Sequence, residues 1–161
     1  MARKISYITI LILLMLTSYG CKRNNWYDWK TQNEVFMKNN LISHPDIQVS
    51  STGLQYRILA DPNPTEQRPF AACVVNIDYQ TKLINGQQVD AAKSAYFLAS
   101  QLVAGVQEGL HLIHVHGDIE LWIPYNLAYG EDGNGTEGYK AFVPPYSAIY
   151  MKIHINSSSA N

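Results

Sequence analysis

The sequence predicts an α+β domain, and three observations carry that prediction. Several stretches alternate apolar and polar residues with the period of two that marks half-buried strands. One stretch, Val106, Leu110 and Ile113, repeats instead at i, i+4 and i+7, as one face of a helix does. Proline and Asn-Gly punctuation separates these pieces. Strands with a single amphipathic helix among them argue for an α+β arrangement.

Length and composition bound the rest. A chain of 161 residues holds one domain of ordinary size with something ahead of it. At 47% hydrophobic and 16% charged residues, with a formal net charge of −1, it has no basic excess for nucleic acid or an anionic membrane surface. Residues 1–20 read as a targeting segment. Arg3 and Lys4 precede an apolar run from Ile5 to Leu16 that is too short to span a bilayer. The run ends in Thr17-Ser18-Tyr19-Gly20-Cys21. Cys73, in step with Val75, Ile77 and Tyr79, reads as a small buried apolar residue.

Residues 21–50 read as a tether or a short helix. Trp26, Trp29, Phe36 and Met37 make a loose helical stripe interrupted by Asn33, and Asn39-Asn40 would end it. The first strand places Leu54, Tyr56 and Ile58 on one face against Gln55 and Arg57. Pro62, Pro64 and Pro69 mark an irregular connection. Residues 73–79 alternate again, and Asn85-Gly86 signals a hairpin turn. Tyr96-Phe97-Leu98 reads as a short strand, followed by the helix near residues 105–113. Ile119, Leu121 and Ile123 form the inner face of another strand, which Pro124 ends. Gly130 supplies the freedom to reverse after Tyr129. A last strand sets Ile149, Met151, Ile153 and Ile155 inward, and residues 157–161 read as a polar tail.

The stretch Ile123-Pro124-Tyr125-Asn126-Leu127-Ala128-Tyr129-Gly130, followed by Val143-Pro144-Pro145, resembles the C-terminal half of an FKBP-type peptidyl-prolyl isomerase. Ser51 to Leu59 is similar to the opening strand of bacterial members. Tyr79, Leu83, Gly86 and Asp90 fall on positions of the next block, and Gly105 to Leu110 resembles G-W-x-E-G-L. The resemblance covers residues 51–156 and implies a curved antiparallel sheet wrapped on one short helix. Thr17 to Cys21 is similar to a bacterial lipoprotein box, with Ser18 where Leu is usual. It implies lipidation of Cys21 and a place in the cell envelope facing the periplasm. Lys22 after the cysteine favours the outer over the inner membrane.

The implied reaction is rotation about an X–Pro bond, whose uncatalysed exchange takes tens of seconds or more. No bond is made or broken, so it needs no nucleophile, base, metal or cofactor. The task is to hold the twisted amide better than the planar one. The resemblance assigns Asp90 a place beside the twisting amide, held by Tyr79. It gives the Val103 backbone N–H and the Tyr129 hydroxyl to substrate carbonyls. Tyr79, Val89, Phe97, Val106, Val143 and Met151 would line the substrate pocket. Read singly, Tyr79 could equally be a core tyrosine, Asp90 a turn residue and Val103 a packing residue under the helix.

Several positions depart from the pattern: Val106 replaces Trp, Val89 replaces Phe, Met151 stands where Phe is favoured and Thr81 replaces Gly. Losing some ~80 Å² of ring surface is worth about 2 kcal/mol of substrate contact. A wider pocket with weaker turnover follows, or a module that binds peptides without much isomerisation. The partners implied are proline-containing segments of exported or unfolded proteins and, through lipid, a membrane. His111, His114 and His116 could reach one ion by spacing alone. Asp118 is the one close acid and no cysteine lies nearby, so they read as positive charge at a helix end rather than a metal site.

Overall fold

A computed structural model describes residues 26–160. The expected targeting segment, Cys21 and Lys22 lie outside the described residues. The elements are α1 (Tyr27–Ser43), β1 (Gln48–Val49), β2 (Gln55–Ala60), β3 (Cys73–Leu83), β4 (Gln88–Leu98), α2 (Ala104–Leu110), β5 (Asp118–Ile123) and β6 (Ile149–Ala160). Short 3₁₀ turns cover Ala99–Gln101 and Tyr125–Leu127. Six strands form one sheet in the order β1-β2-β5-β6-β3-β4, with every pairing antiparallel. No described helix is long and apolar enough to cross a membrane.

Where the alternation is strongest, the inward faces fall as their parity requires. Cys73, Val75 and Ile77 of β3, Ile119, Leu121 and Ile123 of β5, and Ile149 to Ile155 at alternate positions of β6 are all buried. Helix α2 presses Val106 and Leu110 onto this surface, and Ile113 joins them just past its last turn. Gly105 and Gly109 face Ile123 and Leu121 across the contact, and a Cβ at Gly109 would lie 2.5 Å from Leu121 Cδ1. The helix can lie this close to the sheet only because those two positions have no side chain.

Three expectations need correction. Leu54 is buried and Tyr56 packs on the core as the alternation requires, but Gln55 is buried as well and Ile58 is exposed. The cause is α1, which lies over Gln55: Asn40 Nδ2 donates to its Oε1 at 2.9 Å, and its Nε2 donates to the Met37 carbonyl at 2.8 Å. The region before the domain is a 17-residue helix packed on it, running past Asn39-Asn40 to Ser43. Asn33, read as an interruption, is 1% exposed, takes the Ala148 N–H at 2.8 Å and donates to the Trp29 carbonyl. Residues Ser157 to Ala160 are no tail, because they pair with Cys73 to Asn76 as the end of β6.

Candidate functional site

The site lies where the inner faces of β3 and β6 meet the start of α2 and the turn that follows β5. A cavity of about 180 Å³ opens there. Its walls include Tyr79, Asp90, Phe97, Val103, Val106, Tyr129 and Met151, seven of the nine residues assigned from the sequence. Strands supply Tyr79, Asp90, Phe97 and Met151 through register: Thr81 pairs with Asp90 on one side and with Met151 on the other. Helix α2 supplies Val106 as a floor that is 2% exposed. The turn after Pro124 supplies Tyr129, and Gly130 closes it with φ +68° and an N–H donated to the Tyr125 carbonyl at 2.8 Å.

Two assigned residues fall elsewhere. Val89 and Val143 are buried in the hydrophobic core and do not line the cavity. Strand parity explains Val89, since successive side chains point to opposite faces and Asp90 takes the rim. Val143 is tied down by reciprocal backbone bonds with Asn134 at 2.8 Å each. The cavity also includes residues that the motif comparison missed, among them Ile77, Leu102, Gln101 and Thr81. Parity with Tyr79 along β3 would have found Ile77 and Thr81.

The polar groups divide into those already engaged and those left open. Asp90 is engaged: the Tyr79 hydroxyl donates to Oδ2 at 2.8 Å and the Ala91 N–H to Oδ1 at 2.8 Å. Burial, helped by the bond to Asp90, pushes the Tyr79 hydroxyl up to about 12, so it stays a proton donor. The Phe97 and Tyr79 rings meet in a T-shaped arrangement at a centroid distance of 5.8 Å. Among the described residues, nothing in the protein accepts the Val103 N–H, and neither the Tyr129 nor the Thr81 hydroxyl has a partner. Burial first, then the charge of Asp90, raises the Tyr129 hydroxyl and keeps it protonated. The arrangement is an apolar recess with fixed hydrogen-bond donors at its edge and no nucleophile paired with a base. It is suited to holding an amide rather than cleaving one.

None of the three histidines lines this recess, and among the described residues no group of three or more His, Cys, Asp or Glu side chains is placed to hold one metal ion. His114 is 6% exposed, and its Nδ1 donates to the Asp61 carboxylate at 2.8 Å. The His111 Nδ1 is 3.1 Å from the Gln107 carbonyl.

The family model for FKBP-type peptidyl-prolyl cis-trans isomerase matches residues 65–156. A probable FKBP-type isomerase, FkpA, of Neisseria meningitidis serogroup B is 32% identical over 112 residues, which is 67% of this chain and 40% of that protein. The outer membrane protein MIP of Legionella longbeachae is 32% identical over 132 residues, 80% of this chain and 53% of that protein. The chain therefore spans about half the length of these relatives or less. Among solved structures, FkpA from Escherichia coli superposes with a TM-score of 0.74 over 98% of this chain and 73% of its own, at 22% identity. A peptidyl-prolyl isomerase from Pseudomonas syringae gives 0.72 over 83% and 96%, at 20% identity. At such identities the superpositions speak for the fold.

Proposed function

This chain belongs to the FKBP-type peptidyl-prolyl cis-trans isomerase family, and from that premise we propose that it turns X–Pro bonds in proline-containing segments of exported or unfolded proteins. One observation carries the proposal: Asp90, fixed by Tyr79 and by the Ala91 N–H, stands at the rim of an apolar recess into which Val103 and Tyr129 bring open donors. A prolyl ring entering over Val106 and Met151 leaves water behind. A planar amide depends on water to support its charge separation, and the twisted amide does not. The Val103 N–H and the Tyr129 hydroxyl hold flanking carbonyls, and Asp90 faces the bond that turns. Because the recess favours the twisted form over either planar form, the barrier falls.

The Val106 floor and the withdrawal of Val89 into the core support a reduced turnover. They also favour a second reading, an FKBP-like module that holds peptides as a chaperone does. NMR exchange spectroscopy on an X–Pro peptide separates the two. Exchange faster than in buffer and slowed about tenfold in Asp90→Ala, the scale of one hydrogen bond in a transition state, supports the enzyme. A folded protein that binds the peptide without speeding exchange supports the module. An anchored place in the envelope, through lipid on Cys21, is part of the same proposal, and the Legionella relative is called an outer membrane protein. Palmitate labelling that persists in Cys21→Ala would rule out that anchor.

A further inference from the structure

Thr81 and Gln101 are polar residues of the recess that the family resemblance leaves without a role, and of these two only Thr81 is buried in its wall. It sits in the middle of β3, 5% exposed, flanked in register by Asp90 and Met151. Its side chain lines the recess, and no atom of the described protein hydrogen-bonds to its hydroxyl. No buried side-chain oxygen or nitrogen of the described residues is both sealed from solvent and unpartnered. The hydroxyl must therefore open onto the space that the residue lines, the recess itself. Once an occupant displaces water from the recess, a hydroxyl left unbonded in its wall is costly, so the recess suits an occupant that brings a polar atom to that wall.

We propose that Thr81 contacts substrate directly, donating its hydroxyl proton to the carbonyl oxygen of the X–Pro bond, and that this contact favours binding over turnover. The proposal rests on the isomerase reading of the site and deepens it. The direction follows from amide chemistry. In the planar amide the nitrogen lone pair is shared with the carbonyl, and the oxygen carries the resulting negative charge. Twisting the bond withdraws that charge, so a donor to the oxygen bonds more strongly in the ground state than at the transition state. An interaction of that kind lowers KM and lowers kcat with it. Val103 and Tyr129 differ because they are assigned to carbonyls flanking the bond, whose charge does not change as it turns. Thr81 thus lowers turnover, as the reduced floor at Val106 does, while acting on affinity in the opposite direction.

The test compares the wild type with Thr81→Val, which keeps the shape and removes the hydroxyl, and with Thr81→Ser, which restores a hydroxyl. A fluorescent X–Pro peptide gives the affinity, and exchange spectroscopy at saturating peptide gives the turnover. Thr81→Val should bind about three- to tenfold more weakly, the range of one neutral hydrogen bond, and turn over faster at saturation. Thr81→Ser should return both values toward the wild type. Unchanged affinity in Thr81→Val overturns the contact. Weaker binding with unchanged or slower turnover overturns the assignment to the turning carbonyl. A wild type that shows no exchange would sink the isomerase reading, yet the affinity comparison would still decide whether Thr81 touches the peptide.

Discussion

Helix α2 is seven residues long and meets the sheet through two glycines, whereas α1 is 17 residues long and meets the domain largely through hydrogen-bonding side chains. In α2 the contact is close packing: Val106 and Leu110 reach the core, while Gly105 and Gly109 let Ile123 and Leu121 come within van der Waals distance. In α1, Asn33 takes the Ala148 N–H, Asn40 bonds Gln55, and the Trp29 Nε1 donates to the Ser147 hydroxyl at 2.8 Å. The Lys30 ammonium adds a charge 4.7 Å from the Tyr146 ring centroid and 5.5 Å from that of Tyr125. The two helices also serve different sides of the recess. α2 brings its floor, and α1 braces the turn on which Tyr129 stands. A short helix can be secured by shape alone when the fit is tight. A long one laid across strand ends and loops must also satisfy the backbone groups that those ends leave open.

The sharpest way to break the contrast is to put a methyl group into the tight contact. In Gly105→Ala the new Cβ would overlap the Ile123 side chain, and overpacking of a full core should cost about 3 kcal/mol in urea unfolding. Ile123→Ala in the same background should recover part of that loss; strictly additive losses would show that the two residues are not in conflict. The next effect belongs to α1. Asn33→Ala leaves the buried Ala148 N–H without an acceptor and should cost about 2 kcal/mol, with faster amide hydrogen exchange at Ala148. An unchanged exchange rate would mean that α1 is held by its apolar contacts after all.

The smallest effect is electrostatic and concerns the segment just beyond α2. The Asp61 carboxyl lies below its ordinary value of 3.8: burial opposes ionisation, but bonds from the His114 N–H and its ring outweigh it. A depressed carboxylate stabilises the fold fully above its unfolded value and loses that contribution as pH falls through the lower folded value. Stability should therefore decline below about pH 4, and less steeply in Asp61→Asn. The asparagine contacts of α1 do not titrate, so acid should loosen the end of α2 before it loosens α1. The same slope in both proteins would remove Asp61 from that account.

The contrast also explains what could be read from the residues alone. Close packing writes itself into sequence as periodicity, which is why β3, β5, β6 and the helix through Val106 and Leu110 were legible in place. Helix α1 docks through amides, and Asn33 and Asn40 look like helix breakers until their partners at Ala148 and Gln55 are known. Those partners are 115 and 15 residues away in the chain. Gln55 misled in the same way, since nothing local says that a polar residue on a strand will be covered. At the site, the engaged pair Tyr79 and Asp90 followed from the motif. Thr81 stood out as a departure, but its open hydroxyl depends on which neighbours fail to reach it, and only the folded sheet shows that.

Strand β6 has one further consequence, for the order of events during biosynthesis. It follows the other described strands along the chain yet lies between β5 and β3 in the sheet. A nascent polypeptide that has reached Asn126 holds β1 to β5 with no strand joining the β1-β2-β5 group to the β3-β4 hairpin, and Met151, which lines the recess, is still to be added. Until β6 has emerged, the two groups cannot close into one sheet. This topology delays closure of the sheet until β6 arrives.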